Sequence, residues 1–464
     1  MHRSKLIERL WLPAAIFILY LAAIAFRPLM PVDETRYMTV AWEMFLHHGW
    51  FQPLTLNFEP YHHKPPLLFW LINLSWSIFG VSRWAGLIPI ALSSLASVYL
   101  AGTLGKMLFP AFEKDKHRIS LIMISCAPFL MYSTLVMFDI TLMAFVLLSL
   151  INLIKYSRTL RLHYAALMGL FLGLAVLTKG PVAYLYVMYP VLLAPLWMKT
   201  EFPKPTKWGA GCLLALVISA ITVLCWLIPV VIQSDNNFAF WLIWNQTAGR
   251  VTGNFDDAHI RPITFYLPLL PLMIMPWIIF PSFWRSIERF KLKTFDDEGP
   301  RFLYCWLLPV FISFCLISGK QPHYLVPLLP GTVFILAFAL RETATKSLAI
   351  TATLVITIFV SGQAIASRSY LQPYDQKPIA DYVQSHPQND WAFVRNYHGE
   401  IGFLSRLEKP ITNLDDIQDL PKWFSKHPNG KAVIKFTDQE EVKNYQSILE
   451  QDYRGRRAGI FTKG

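Results

Sequence analysis

From Trp208 to Ile232 the chain runs for twenty-five residues without a charged side chain. As a helix rising 1.5 Å per residue, this segment is about 37 Å long, enough to cross the ~30 Å hydrocarbon core of a bilayer. Ten further apolar runs accompany it, near residues 10–29, 85–108, 119–137, 138–154, 164–178, 181–198, 263–284, 302–318, 324–340 and 347–366. The composition agrees. Charged residues make up 16% of the chain, against roughly 25% in ordinary globular domains. A length of 464 residues would otherwise suggest about three soluble domains. The five cysteines all lie inside apolar runs, so they staple no exported domain. An aromatic content of 15% excludes a disordered chain.

The first segment resembles a signal sequence, with Arg3, Lys5 and Arg9 before an apolar stretch. No clear small-residue cleavage site precedes Asp33, so a retained first span is expected. The run 65–80 is short and led by prolines, and it reads as an interfacial or re-entrant helix. Lysine and arginine set the orientation. With the N-terminus inside, 20 of them fall in inner segments and 8 in outer segments, and 14 lie in the tail. The net charge of +12 is therefore positive-inside topology and no nucleic-acid footprint. An odd number of spans puts the tail outside.

The expected architecture is an all-α polytopic membrane domain over residues 1–366, with about eleven transmembrane helices. Long outer loops fall near 30–84 and 233–262, where binding and catalytic groups usually sit. Residues 367–464 are polar. They show strand-like runs at Asp390–Val394 and Lys431–Phe436, and helical patterns at Lys377–Gln384 and Gln439–Glu450. A small C-terminal α/β domain is expected there.

Polar residues beside lipid need a reason. Asp33 and Glu34 directly follow the first run, with Arg36 as a nearby partner for either. Acids at such a boundary suit a water-filled cavity. Tyr61-His62-His63-Lys64-Pro65-Pro66 places cations and a proline-fixed helix start together, which suits a phosphate. Asp139 lies at the junction of two runs and reads either as a helix N-cap or as a functional carboxylate. Lys179 and Lys320 end runs on the outer side, against the charge bias, where an anionic ligand or a lipid headgroup would explain them. Asp256, Asp257, His259 and Arg261 form a further cluster. A His with carboxylates is metal-ligand chemistry, although the spacing matches no specific motif. In this topology Asp33, Lys64, Asp139, Lys179, His259, Arg261, Lys320 and Tyr324 all fall on one face. That suits a phosphorylated lipid substrate.

The segments Asp33-Glu34-Thr35-Arg36-Tyr37 and His63-Lys64-Pro65-Pro66-Leu67-Leu68-Phe69-Trp70 resemble those of the bacterial 4-amino-4-deoxy-L-arabinose transferases. So do Met137-Phe138-Asp139, Leu177-Thr178-Lys179-Gly180-Pro181, His259-Ile260-Arg261-Pro262 and Ser318-Gly319-Lys320-Gln321-Pro322-His323-Tyr324. These enzymes are lipid A-modifying relatives of the protein O-mannosyltransferases and share the GT-C fold. The resemblance implies an undecaprenyl-phosphate sugar donor and lipid A or another envelope acceptor. It implies a multi-pass protein of the bacterial inner membrane whose active site and C-terminal domain are periplasmic. Lys64 and Arg261 are expected on the donor phosphate, supported by Lys320 and Tyr324. Asp33 would orient or deprotonate the acceptor, and Asp139 would bind the sugar or assist Asp33. Lys64 or Lys179 would offset two neighbouring carboxylates. Glu34, Arg36, Tyr61 and His63 complete the candidates, with His63 and His259 as ligands for a divalent metal. The alternatives are a protein O-glycosyltransferase of the same fold, a lipid-linked sugar transporter or flippase, and an assembly protein with an exported interaction domain. A transporter would show repeated halves and broken helices at the membrane midplane. No repeat is visible in the sequence.

Overall fold

The computed structural model describes residues 2–113, 115, 117–198, 202–234, 260–288 and 297–464. In chain order come helices α1 (His2–Phe26) and α2 (Asp33–His47), then the short hairpin β1 (Thr55–Leu56) and β2 (Glu59–Pro60). Helices α3 (Leu67–Phe79), α4 (Arg83–Leu108), α5 (Arg118–Ser125), α6 (Ala127–Tyr132), α7 (Phe138–Thr159), α8 (Leu162–Lys179), α9 (Ala183–Leu192), α10 (Ala194–Trp197) and α11 (Pro205–Gln233) follow.

Among the described residues, seven helices are long and apolar enough to cross a bilayer. They are α4, α7, α8, α11, Glu298–Leu316, Pro322–Ala339 and Thr345–Ala366. The protein is a multi-pass membrane protein. The other expected runs form shorter pieces. The run 119–137 breaks at Cys126, which is extended and leads into Pro128. The run 181–198 divides around Leu193. The run 263–284 becomes a 3₁₀ turn over Ile263–Leu269, a helix over Leu270–Ile274, a 3₁₀ turn over Trp277–Ile279 and the start of a helix over Pro281–Glu288. Pro268, Pro271, Pro276 and Pro281 punctuate it, and each removes a backbone donor that a continuous helix would need. Helix α3, at 13 residues, is shorter than a spanning segment, as expected for the 65–80 run.

The chain divides into two compact units whose limits differ from the expected break after residue 366. One comprises 1–19, 62–68 and 88–359, and the other 20–61, 69–87 and 360–464. In the first unit, α8 packs against both α7 and α11. A β-carbon on Gly169 would lie 2.3 Å from the carbonyl oxygen of Ala215, and one on Gly173 would lie 2.6 Å from the Thr222 side chain. Only glycine allows that approach, and close backbone contact is a main source of helix attraction in lipid. Helix α11 buries Trp208, Gly211, Ala215, Ser219, Trp226 and Val230 along one stripe, and leaves Leu213, Leu216, Ile221 and Ile228 exposed.

The second unit holds a five-stranded sheet in the order β4-β3-β5-β7-β6. Its strands are β3 (Trp391–Val394), β4 (Thr412–Leu414), β5 (Lys431–Phe436), β6 (Tyr445–Tyr453) and β7 (Arg456–Lys463). β3 lies parallel to β4 and β5 and is buried along its whole length. Its residues alternate between two cores. Trp391 and Phe393 join Ile379 and Val383 of the helix Lys377–Gln384. Ala392 and Val394 join Leu420, Trp423 and Phe424 of the helix Leu420–Lys426. A parallel strand covered on both faces requires this pattern. The expected helix at Gln439–Glu450 is a short 3₁₀ turn followed by β6. Pairing with β7 overrides the local pattern, through a turn at Arg454 and Gly455 with φ of 49° and 78°.

The same unit ties its α/β sheet to α2 and the β1–β2 hairpin. The Thr39 hydroxyl donates to the Gly399 carbonyl at 2.8 Å and accepts from the Phe403 amide at 2.9 Å. The Trp42 indole donates to the Leu407 carbonyl at 2.8 Å. Asn57 and Ile411 exchange two bonds of 2.9 Å. Buried Glu43 accepts from the amides of Asn57 and Phe58, at 2.7 and 2.9 Å, across a turn whose two residues both have positive φ. Burial raises the Glu43 carboxyl, and these bonds oppose the rise.

Candidate active site

In the first unit a chain of contacts joins four of the expected residues. Helix α7 starts at Phe138 and α8 ends at Lys179. The Lys179 ammonium forms an ion pair with Asp139, and the two side chains are 5% and 1% exposed. The same ammonium lies 4.6 Å from the centroid of the Tyr324 ring. The Lys64 ammonium lies 5.8 Å from the ring of Phe138, the neighbour of Asp139. The Tyr186 hydroxyl donates to the Tyr324 carbonyl at 2.7 Å and fixes that backbone. The N-cap of α7 is Met137, with no side-chain cap bond, so Asp139 is committed to Lys179 and does not cap its helix. A carboxylate in the first turn of one helix and an ammonium in the last turn of another each also favour their helix dipoles.

Two segments of this unit latch together beside Tyr324. Ile260 and Gly319 form an antiparallel bridge, and the Arg261 amide donates to the Ser318 carbonyl at 3.3 Å. Lys320 is buried, and its ammonium donates to the Arg261 carbonyl at 2.9 Å. The Tyr266 hydroxyl donates to the Gln321 carbonyl at 3.3 Å. Arg261 itself is exposed, with its guanidinium 4.7 Å over Phe265. Lys320 thus holds the Arg261 backbone, while the Arg261 guanidinium is presented outward.

The second unit holds Asp33, Glu34, Arg36 and Tyr61. Asp33 opens α2, is exposed, and accepts from the Tyr37 hydroxyl at 3.3 Å. Glu34 is buried and pairs with Arg27; of the two acids expected for Arg36, Glu34 is thus engaged elsewhere. It also accepts from the Met30 amide at 2.9 Å. Residues two apart on a helix point away from each other, so Arg36 is poorly placed for Glu34. Tyr61 is buried, and its amide donates to the Leu54 carbonyl at 2.7 Å.

His63 stacks on His62 with ring centroids 4.7 Å apart. His259, Asp256 and Asp257 lie outside the described residues. Among the described residues no group of three His, Cys, Asp or Glu side chains is placed to hold a metal ion. The expected metal site, which pairs His63 with His259, thus lies partly outside the described residues. Sequence reasoning missed Arg27 and Tyr186. Arg27 carried a signal, as a lone cation at the end of an apolar run. Tyr186 carried none.

Comparison with known proteins places this geometry. The family profile for dolichyl-phosphate-mannose-protein mannosyltransferase matches residues 63–226. The undecaprenyl phosphate-alpha-4-amino-4-deoxy-L-arabinose arabinosyl transferase 2 of Proteus mirabilis (strain HI4320) is 27% identical over 392 residues, 82% of this chain and 68% of that protein. The enzyme of the same name from Pseudomonas fluorescens (strain Pf0-1) is 30% identical over 345 residues, 70% of this chain and 58% of that protein. The chain is thus similar to glycosyltransferases of the aminoarabinose and protein-mannosyl transferase type. The matched parts span only 58% to 68% of these two relatives' own lengths. Among solved structures, ArnT from Cupriavidus metallidurans bound to undecaprenyl phosphate superposes with a TM-score of 0.75 at 16% identity, covering 97% of both chains. The Archaeoglobus fulgidus oligosaccharyltransferase, solved with zinc and sulfate, gives a TM-score of 0.54 at 13% identity over 97% of this chain and 73% of that one. These two likenesses establish the GT-C fold. Lys64, Asp139 and Lys179 fall inside the segment matched by the family profile.

Proposed function

We propose that the chain moves a sugar from a polyprenyl-phosphate donor to lipid A or another envelope acceptor, at the periplasmic face of a bacterial inner membrane. The contact chain from Lys64 through Phe138 and Asp139 to Lys179 and Tyr324 carries this reading. It gathers cations and an aromatic face at helix ends. The relatives' names supply the donor class and make 4-amino-4-deoxy-L-arabinose the first sugar to test.

In the reaction, the bond from the anomeric carbon to the donor phosphate oxygen breaks, and its electron pair leaves with the phosphate. The carbon gains oxocarbenium character and bonds the acceptor oxygen. A hydroxyl acceptor passes its proton to Asp33, whereas an ionised phosphate acceptor has none to lose and is only oriented by it. Lys64 and Arg261 face the leaving phosphate, and preorganised charge of this kind is usually the largest catalytic contribution. Lys320 acts one step back, by holding the Arg261 backbone. Asp139 holds Lys179 beside Tyr324 and so supports sugar and phosphate placement indirectly. No step is routed through a metal ion.

Mass spectrometry of lipid A from cells with and without the protein tests the reading, together with transfer by the purified full chain from undecaprenyl-phosphate aminoarabinose. The mannosyltransferase profile over 63–226 favours a second reading, transfer to protein, so envelope glycoproteins are measured in the same cells. Unchanged lipid A and unchanged glycoproteins would remove both. Reporter fusions after Arg368 test the orientation, and a cytoplasmic signal there overturns the periplasmic site.

A further inference from the structure

The second unit contains a cavity of about 970 Å³ lined by none of the residues placed in the transfer reaction. The end of α1 and the chain just beyond the helix Thr345–Ala366 form part of its wall, through residues such as Phe26, Leu29 and Leu371. The rest comes from the α/β region, through Lys377, Arg406 and Asp452 among others. Apolar and charged side chains are interleaved around this wall: Arg27 and Arg83 lie at the end of α1 and the start of α4, and Phe403 and Leu404 come from the α/β region.

The charges lining this cavity are unevenly matched. Arg27 is held by Glu34, and Lys377 by Asp381. Asp375 accepts from the Lys377 amide at 2.9 Å, and its carbonyl accepts from Gln451 at 2.7 Å. Arg83 and Arg406 form no ion pair among the described residues, and Asp452 is the third acid of the wall. Arg83 donates through Nη2 to the carbonyls of Ala23, at 2.9 Å, and Arg27, and its buried Nε has no hydrogen-bond partner. Arg406 donates to the Phe403 carbonyl and stacks 4.0 Å over the Phe403 ring. Burial without a compensating anion holds Arg406 below the ordinary arginine range. Two guanidiniums that hold carbonyl and ring contacts and no ion pair among the described residues, beside apolar side chains such as Phe26, Leu29 and Leu371, match the chemistry of a phosphate ester attached to lipid. Planar forked donors are suited to phosphate oxygens.

We propose that this cavity binds the phosphorylated headgroup of a membrane lipid. The proposal goes beyond the transfer reaction, since neither Arg83, Arg406 nor Leu371 has a role in that chemistry. Two lipids share the headgroup chemistry: a glycerophospholipid, and a lipid built on diglucosamine bisphosphate.

The test is native mass spectrometry of the full chain after exchange into micelles containing phosphatidylglycerol, diglucosamine-bisphosphate lipid or diacylglycerol. Wild-type protein should retain one of the two phosphorylated lipids at least about tenfold better than diacylglycerol, as expected for charge-assisted bonds. Retention should fall about tenfold in Arg406→Gln. Leu371→Trp, which fills the cavity and leaves every charge in place, should lower it similarly and covers the case in which Arg406→Gln fails to fold. Better retention of phosphatidylglycerol assigns the site to a structural lipid, and better retention of the bisphosphate lipid assigns it to an acceptor-like one. Equal retention of diacylglycerol, retention unchanged in a folded variant of either kind, or an effect of inorganic phosphate with no lipid retained overturns the proposal.

Discussion

Two buried ion pairs, one in each unit, look alike in isolation. Asp139–Lys179 and Glu34–Arg27 each join an acid in the first turn of a helix to a cation at or beyond the end of another, and all four side chains are at most 7% exposed. Their surroundings differ. Glu34–Arg27 bridges seven residues, and its contacts include backbone groups, the Met30 amide and the Pro28 carbonyl. It fixes how the chain enters α2. Asp139–Lys179 bridges forty residues, and its ammonium also faces the Tyr324 ring, while the neighbouring Phe138 ring meets Lys64. A buried pair is weak evidence of stabilisation by itself, because desolvation cancels much of the attraction. What the second cation touches decides whether the pair serves the fold or the reaction.

Asp139→Ala should have the largest effect on folding. It leaves Lys179 buried without its counter-charge, a loss of about 3–5 kcal/mol. Thermal unfolding in detergent measures it, and transfer should vanish. The double variant Asp139→Asn with Lys179→Met should recover most of the stability and none of the transfer. If transfer returns with stability, the pair serves only the fold and the contrast collapses. Glu34→Gln comes next, at about 1.5–3 kcal/mol for the weakened charge-assisted bonds. Here Glu34→Leu with Arg27→Met should restore stability and transfer together. A folded double variant without transfer would move this pair into the reaction.

Smaller effects separate the α/β region from α2. Thr39→Val leaves the Gly399 carbonyl and the Phe403 amide unpaired and should cost about 1–2 kcal/mol. A neutral result would mean that this seam does not hold α2. In the α/β region, Glu441 is held at about 2 by bonds from the Asp438 amide, the Arg395 side chain and the Thr437 amide. A depressed carboxylate stabilises the fold above its unfolded value near 4.3 and loses that contribution as pH falls toward 2. Glu441→Gln should flatten this acid limb by a small amount, since the side chain is partly exposed. Asp33→Asn should change stability least, within about 0.5 kcal/mol, because Asp33 is exposed. Transfer should nonetheless fall about 10²–10⁴-fold with donor affinity kept. Full activity in this variant would remove Asp33 from the chemistry.

Each member of the Asp139, Lys179, Tyr324 and Lys64 group was legible as a polar or cationic outlier beside an apolar run. The sequence named Lys64 and Lys179 as cations able to offset the carboxylates, and an ion pair joins Lys179 to Asp139. Lys320 was legible as an unusual outer cation, but its target was not. Its ammonium meets the Arg261 carbonyl, and backbone acceptors leave no trace in side-chain patterns. Arg36 looked like a partner for Glu34 or Asp33 because it is near both in sequence. The helical turn of α2 points Arg36 and Glu34 apart, and the chain before the helix brings Arg27 back. The region Gln439–Glu450 has helical spacing, yet β7 offers a full row of backbone partners and takes it as a strand.

The membrane class, the positions of the long apolar segments and the orientation bias are readable in the chain alone. Partition into lipid and the placement of Lys and Arg add up over short local windows, so neighbours in sequence suffice. The breaks at Cys126 and through 263–284 are partly readable as well, because proline acts on its own turn. Pairing is different. Which cation neutralises Asp139, which carbonyl Lys320 takes, and how the β1–β2 hairpin joins the sheet through Asn57 and Ile411 depend on groups tens to hundreds of residues apart. In a low-dielectric interior each polar group must find a partner, and only the packed chain determines which one comes within reach.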